Sequence, residues 1–190
     1  MSSEVLDKIF ADLLALEDRS KQKLPPVHLW DPALSGQMDL VIDREGRWIH
    51  EGGEIKRPAL VKLFSSILKK ENGDYYLVTP VEKWRITVDV APFFITTVKK
   101  NIRGDQQAIS CITSVGDNIV VGKTHPFWVE YVSGSDEPIP LVKIREGLDG
   151  LLSRSAFYQL VDWADSSATQ IGNELSFLSM GEKFRLGLVS

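Results

Sequence analysis

His50, Glu51, Gly52 and Gly53 lie just ahead of Arg57, where the apolar spacing of PALVKLF predicts a helix. Free amides at a helix start, with glycines allowing close approach, suit a phosphate or carboxylate, and an arginine adds charge. Yet a cation in the first helical turn opposes the helix dipole at a cost of about 0.3–1 kcal/mol. Either a carboxylate of the chain, Glu51 or Glu54, offsets it, or an external anion does.

The arrangement recurs. IHEG and GEIKRPALVKLF align with IREG and GLLSRSAFYQLV once Leu148 and Asp149 are treated as an insertion. Ile49, Glu51, Gly52, Gly53, Arg57, Ala59 and Leu63 then face Ile144, Glu146, Gly147, Gly150, Arg154, Ala156 and Leu160. A second match follows in the same order, VEKWRI with GEKFRL, so that Glu82, Lys83 and Arg85 recur as Glu182, Lys183 and Arg185. Two ordered matches predict an internal duplication. The repeated unit reads as strand, Glu-Gly turn, helix, strand, and a strand carrying Glu-Lys-aromatic-Arg.

Strand alternation puts Lys83 and Arg85 on one face and Trp84 with Ile86 on the other, and the same holds for Lys183 and Arg185. These cations are either a solvated outer face or the lining of a cleft shared by the two copies. In the second case Arg57, Arg154, Lys83, Arg85, Lys183 and Arg185 neutralise an anion, Gly52 and Gly53 present amides, and an exposed Trp84 packs a base. The histidines carry little chemistry. No pair has metal-ligand spacing, and His50 and Glu51, as strand neighbours, point to opposite faces. The second copy has Arg145 in place of His50, and no nucleophile elbow, phosphate loop or dinucleotide glycine signature occurs. No catalytic residue, metal or cofactor is assigned.

The elements that must position these groups divide the chain. Residues 3 to 18 carry an amphipathic helical pattern with Ser2 or Ser3 as cap, and PPVHLW runs extended. MDLVID and RWIH form a hairpin about Gly46, and the helix after Arg57 buries Leu60, Leu63, Phe64, Ile67 and Leu68 until ENGD closes it. From Tyr75 onward, short β-branched and aromatic runs predict an antiparallel, strand-rich half, with extra hairpins over 90 to 125. A second helix over 153 to 164 has Ser153 as its cap. The expected fold class is α+β, internally duplicated, with an N-terminal domain over 1–88 and a larger β-rich one over 89–190.

With 190 residues, 43% apolar content and a net charge of -4, the chain reads as a globular protein without the basic face that broad nucleic-acid capture needs. No apolar run is long enough to span a membrane, the N-terminus lacks a basic leader, and a cytoplasmic location is expected. The single cysteine, Cys111 in AISCITSV, reads as a core thiol.

PPVHLWDP, IDREGRWIHEGG, RPALVKLFSSILKK, YYLVTPVEKWRI and APFF resemble a bacterial family known as the domain of unknown function 1285, across most of residues 25 to 95. The resemblance implies a duplicated α+β protein whose C-terminal part is like pleckstrin-homology folds, a ligand site between the domains, a nucleotide-related ligand and a role in signal transduction. It implies no activity. The expectation is a non-enzymatic regulatory protein that binds a small anionic, nucleotide-like ligand; the alternative is a protein-interaction module.

Overall fold

Around Gly46 the expected hairpin forms, with strands β1 (Leu34–Ile42) and β2 (Trp48–His50) pairing antiparallel. Gly46 takes φ 75°, and the Asp43 carboxylate ties the turn by accepting from the backbone N–H of Glu45 and of Arg47. The computed structural model describes residues 8–9, 24–132, 134–169 and 172–189. The helix expected over 3 to 18 lies outside the described residues apart from Lys8 and Ile9. The chain divides into two compact units, Met1–Val90 and Ala91–Ser190.

In the first unit, alternation along β1 buries Met38, Leu40 and Ile42. A tight turn of Glu51 (φ 47°) and Gly52 (φ 75°) leads to β3 (Gly53–Glu54), both residues adopting the left-handed conformation that such turns require. Helix α1 (Pro58–Ser66) starts on a proline, which suits a first turn, and packs Phe64 on Trp48 at a 6.3 Å ring separation. Leu63 and Phe64 are buried, as expected, while Leu60 is half-buried.

The helix does not run on to ENGD. Ile67 ends it, Leu68 opens β4 (Leu68–Glu71), and Asn72 (φ 51°) with Gly73 (φ 90°) turns the chain into β5 (Asp74–Val78). Asn-Gly is the strongest short hairpin signal, and it prevails over the helical spacing of Ile67 and Leu68. Strand β6 (Lys83–Val88) pairs antiparallel with β5 and parallel with β1, giving the order β3-β2-β1-β6-β5-β4. Val27–Leu29, expected to be extended, is a short 3-10 turn.

The second unit contains two sheets. β7 (Phe93–Arg103), β8 (Gln106–Thr113), β9 (Asn118–Val120), β10 (Phe127–Tyr131), β11 (Pro138–Arg145) and β12 (Leu148–Leu152) form a sheet in the order β10-β11-β12-β7-β8-β9. Its β12–β7 pairing is parallel, which corrects the wholly antiparallel reading; the long return from β9 through β10 and β11 permits it. In α2 (Arg154–Asp162) the Ser153 side chain accepts from the backbone N–H of Ala156 at 3.2 Å, and Ala156 and Leu160 are buried.

β13 (Asp165–Thr169), β14 (Gly172–Ser179) and β15 (Glu182–Val189) make an antiparallel three-stranded sheet. It joins the larger sheet through Phe127, edge-on to Phe177 at 5.3 Å, with Phe177 stacked on Phe184 at 5.5 Å. Fully buried Ser179 adds a polar tie, its hydroxyl accepting from the Ile109 N–H (2.9 Å) and donating to the Val121 carbonyl (2.7 Å).

Both units are α+β, and the order of elements, three strands, a helix and three strands, occurs in each, with β7, β8 and β9 preceding it in the second. The pairing differs. The strands after α1 join the first sheet through β6 and β1, whereas those after α2 stand as a separate sheet. The inserted residues Leu148 and Asp149 lie within β12, so Leu148, not Gly150, occupies the position after the turn that Gly53 holds. Gly150 has a packing role of its own, because a Cβ there would meet Ile144 Cδ1 at 3.0 Å and Ile95 Cδ1 at 3.1 Å.

Candidate functional site

The expected ligand residues of the first unit do not gather. His50 pairs with Leu40 on β1, whereas Lys83 pairs with Leu34, six residues earlier on that strand, which is about 20 Å at ~3.3 Å per residue. The turn bearing Glu51, Gly52 and Gly53 therefore lies beside the middle of β1, at Asp39, five residues along the strand from the position that pairs with Lys83. His50 is held locally, its Nδ1–H donating to the Asp39 carbonyl at 2.7 Å; the backbone N–H of Glu51 donates to the same oxygen.

Arg57 and Arg154 occupy different helix positions. Arg57 is the residue before the first turn of α1, in extended conformation, with Pro58 after it. Arg154 is inside the first turn of α2, because Ser153 takes the cap. Both arginines still stand at the positive end of a helix dipole; the difference is that Ser153 caps α2 ahead of Arg154, whereas Arg57 supplies α1 with no side-chain cap. Both side chains are exposed.

On β6, alternation buries Ile86 and exposes Arg85 and Thr87, as expected. The cations there are matched. Lys83 Nζ lies 2.9 Å from Glu71 and 3.7 Å from Asp31, and its side chain is 14% exposed, so it is not part of a solvated face. Glu71 also accepts from Lys69 at 2.7 Å, and Arg85 pairs with Asp74 at 2.5 Å. The hydrogen bonds from Lys69 and Lys83 hold the Glu71 carboxyl below its ordinary range, and the bond to Glu71 raises Lys83. Trp84 is half-buried, its ring against Gly36 and its indole N–H donating to Glu82 at 3.3 Å. It is a packed side chain, not an open stacking platform.

The second unit differs in charge balance. Lys183 (3.0 Å) and Arg185 (3.5 Å), on the same face of β15, share the single carboxylate of Glu174 across the strand pair. One positive charge is in excess there among the described residues. Arg185 also lines a concavity of about 350 Å³ with Phe127, Trp128, Val129, Tyr131, Leu186 and Gly187. The hollow lies between β10 and β15, each bonded to one neighbouring strand only. Gly187 lets the Tyr131 hydroxyl approach, since a Cβ there would come within 3.3 Å of it, and Glu130 accepts from the Trp128 indole N–H at 2.8 Å. In the sequence the aromatic lining is only FWVEYV, one of the short β-branched and aromatic runs that predict strands. Its facing of β15 depends on a sheet-to-sheet contact that local spacing does not encode.

Arg145, which stands where the first copy has His50, lies with its guanidinium 5.1 Å from the Phe93 ring centroid, and burial lowers its pKa against the opposing charge of Asp117. Among the described residues no cluster of metal-ligating side chains occurs, and no helix is long and apolar enough to cross a membrane.

Comparison with known proteins agrees along the chain. Residues 25–91 match the family model described as domain of unknown function (DUF1285), N-terminal domain, and residues 92–186 match protein of unknown function (DUF1285), C-terminal domain. A crystal structure of a DUF1285 family protein from Silicibacter pomeroyi DSS-3 is 42% identical, covering 93% of this chain and 95% of that one with a TM-score of 0.79. Another, from Shewanella baltica OS155, is 26% identical over 66% of this chain and 91% of its own, with a TM-score of 0.52. No curated protein matches. Matched by two consecutive family models over nearly its whole length, the chain belongs to the DUF1285 family.

Proposed function

We propose that the chain is a cytoplasmic regulatory protein whose second unit binds a small anionic ligand, nucleotide-like in joining a flat ring to a phosphate. The observation that carries this is Arg185, which lines a concavity with Trp128 and Tyr131 while sharing one carboxylate with Lys183. The arginine and its excess charge suit the anionic end, and the aromatic side chains suit the ring. A volume of about 350 Å³ falls in the range of small-molecule sites. Glu174 competes with the ligand for Arg185, so affinity is modest.

Thermal denaturation against a panel of nucleotides and inorganic phosphate tests the reading. At a hundredfold excess over Kd a true ligand stabilises by roughly 2.7 kcal/mol, and Arg185→Ala removes that gain. Absence of stabilisation across the panel, or an undiminished shift in Arg185→Ala, overturns it. The alternative, a protein-interaction module, rests on the open edges of β10 and β15, which offer backbone groups to an added strand. We also read the recurring order of strands, helix and strands as an internal duplication. Superposing β2 to α1 on β11 to α2 checks this: if strand, turn and helix do not overlay together, the duplication falls.

A further inference from the structure

Past Ile95, β7 is bonded on one side only. β12 pairs with Phe93 to Ile95 and then leaves into α2, whereas β8 accompanies β7 as far as Arg103. Every side chain from Lys99 to Arg103 is exposed. Three of them, Lys99, Lys100 and Arg103, are cations with no ion-pair partner among the described residues, in contrast to Lys83, Arg85, Lys123, Lys183 and Arg185. Asp105, in the hairpin turn, is the one carboxylate between Lys99 and Gln107.

Apolar side chains flank these cations. Ile102, 71% exposed, pairs across the hairpin with Gln107 and so shares its face. The Gln107 side-chain amide donates to the Leu178 carbonyl at 2.7 Å, and its backbone carbonyl accepts from the Met180 N–H at 2.8 Å. Leu178 and Met180 are exposed as well, at 48% and 39%. One end of the second unit therefore brings three large exposed apolar residues near Gln107, with Lys100 on the same face of β7 as Ile102 and Lys99 and Arg103 on the opposite face, so that unmatched cations flank the open strand on both sides. An apolar group flanked by lysine and arginine suits a surface with negative head groups above a hydrocarbon boundary. The side chains stand on an open strand and a turn, not in a groove, which favours a deformable partner over a rigid peptide.

We propose that this end of the second unit docks on an anionic lipid surface. Lys99, Lys100 and Arg103 meet the head groups, and Ile102, Leu178 and Met180 enter the boundary beneath them. The inference stands apart from the ligand reading, since it shares no residue with the Arg185 concavity.

Co-sedimentation of the full chain with vesicles of mixed phosphatidylglycerol and phosphatidylcholine, against phosphatidylcholine alone, tests it. Binding is expected to the anionic vesicles only, and to weaken as salt rises. Each cation near such a surface contributes about fivefold, so the double variant Lys99→Glu, Lys100→Glu loses at least roughly 25-fold. Ile102→Ser weakens binding while leaving its salt dependence in place. All three positions are exposed, and circular dichroism checks that the variants fold. Equal sedimentation with neutral vesicles, or undiminished binding by the double variant, overturns the proposal. So does capture of soluble polyglutamate without vesicle binding, which assigns the surface to an acidic protein. Self-association of the double variant with unchanged vesicle binding also overturns it, leaving the cations as guards of an open strand edge.

Discussion

Cys111 pairs with Val98 in the middle of the large sheet of the second unit, wholly enclosed, and burial pushes its thiol up to about 12. The thiolate is the reactive form, so the folded protein is expected to resist iodoacetamide at neutral pH and to react once denatured; a mass shift in the native state would contradict the burial. Glu71 gives a pH prediction. Its carboxyl is held below the ordinary 4.5, so its contribution is complete above that value and is lost as pH falls through the depressed pKa. Lys83 is raised above 10.5, so its contribution is complete below that value and is lost as pH rises through the raised pKa. Glu71→Gln should cost about 1–2 kcal/mol at neutral pH, a gap in melting temperature that closes in acid; a gap that persists there argues against the pairing. The sequence indicated the cations but not their partners. Lys83 finds Glu71 and Arg185 finds Glu174 only through the register of neighbouring strands.

The same limit applies to the elements. The β1–β2 hairpin was legible, since Gly46 and a clean alternation agree, and α2 was legible through Ser153. Removing that cap with Ser153→Ala should cost about 1 kcal/mol, read as a lower midpoint in urea with unchanged slope; no change in midpoint would mean that tertiary packing alone fixes the start of α2. The end of α1 was misread because Ile67 and Leu68 continue a helical apolar spacing into what becomes β4. Asn72-Gly73 carried the correct answer, and a local turn with both residues left-handed outweighed four residues of periodicity. The parallel pairings β1–β6 and β12–β7 had no local signal, because each joins strands separated by long stretches of chain.

At the scale of the whole molecule, the two-part α+β character was legible from composition shifts and the repeated phrases, while the separate sheet after α2 was not. β14 and β15 have the alternation of an ordinary meander, and nothing in it tells whether they join the larger sheet or stand apart. What ties them to it is partly one hydroxyl. Ser179 bridges Ile109, 70 residues before it, and Val121, 58 before it, with no exposure to water. A contact of such sequence separation forms only after both sheets exist, which makes it a late event along the folding route. Ser179→Ala should therefore accelerate unfolding far more than it slows refolding. Stopped-flow measurements showing the loss mainly on the refolding limb would place this closure in the nucleus instead. The second unit is thereby latched kinetically, and its lifetime in the folded state depends on one fully buried serine between two exposed neighbours, Leu178 and Met180.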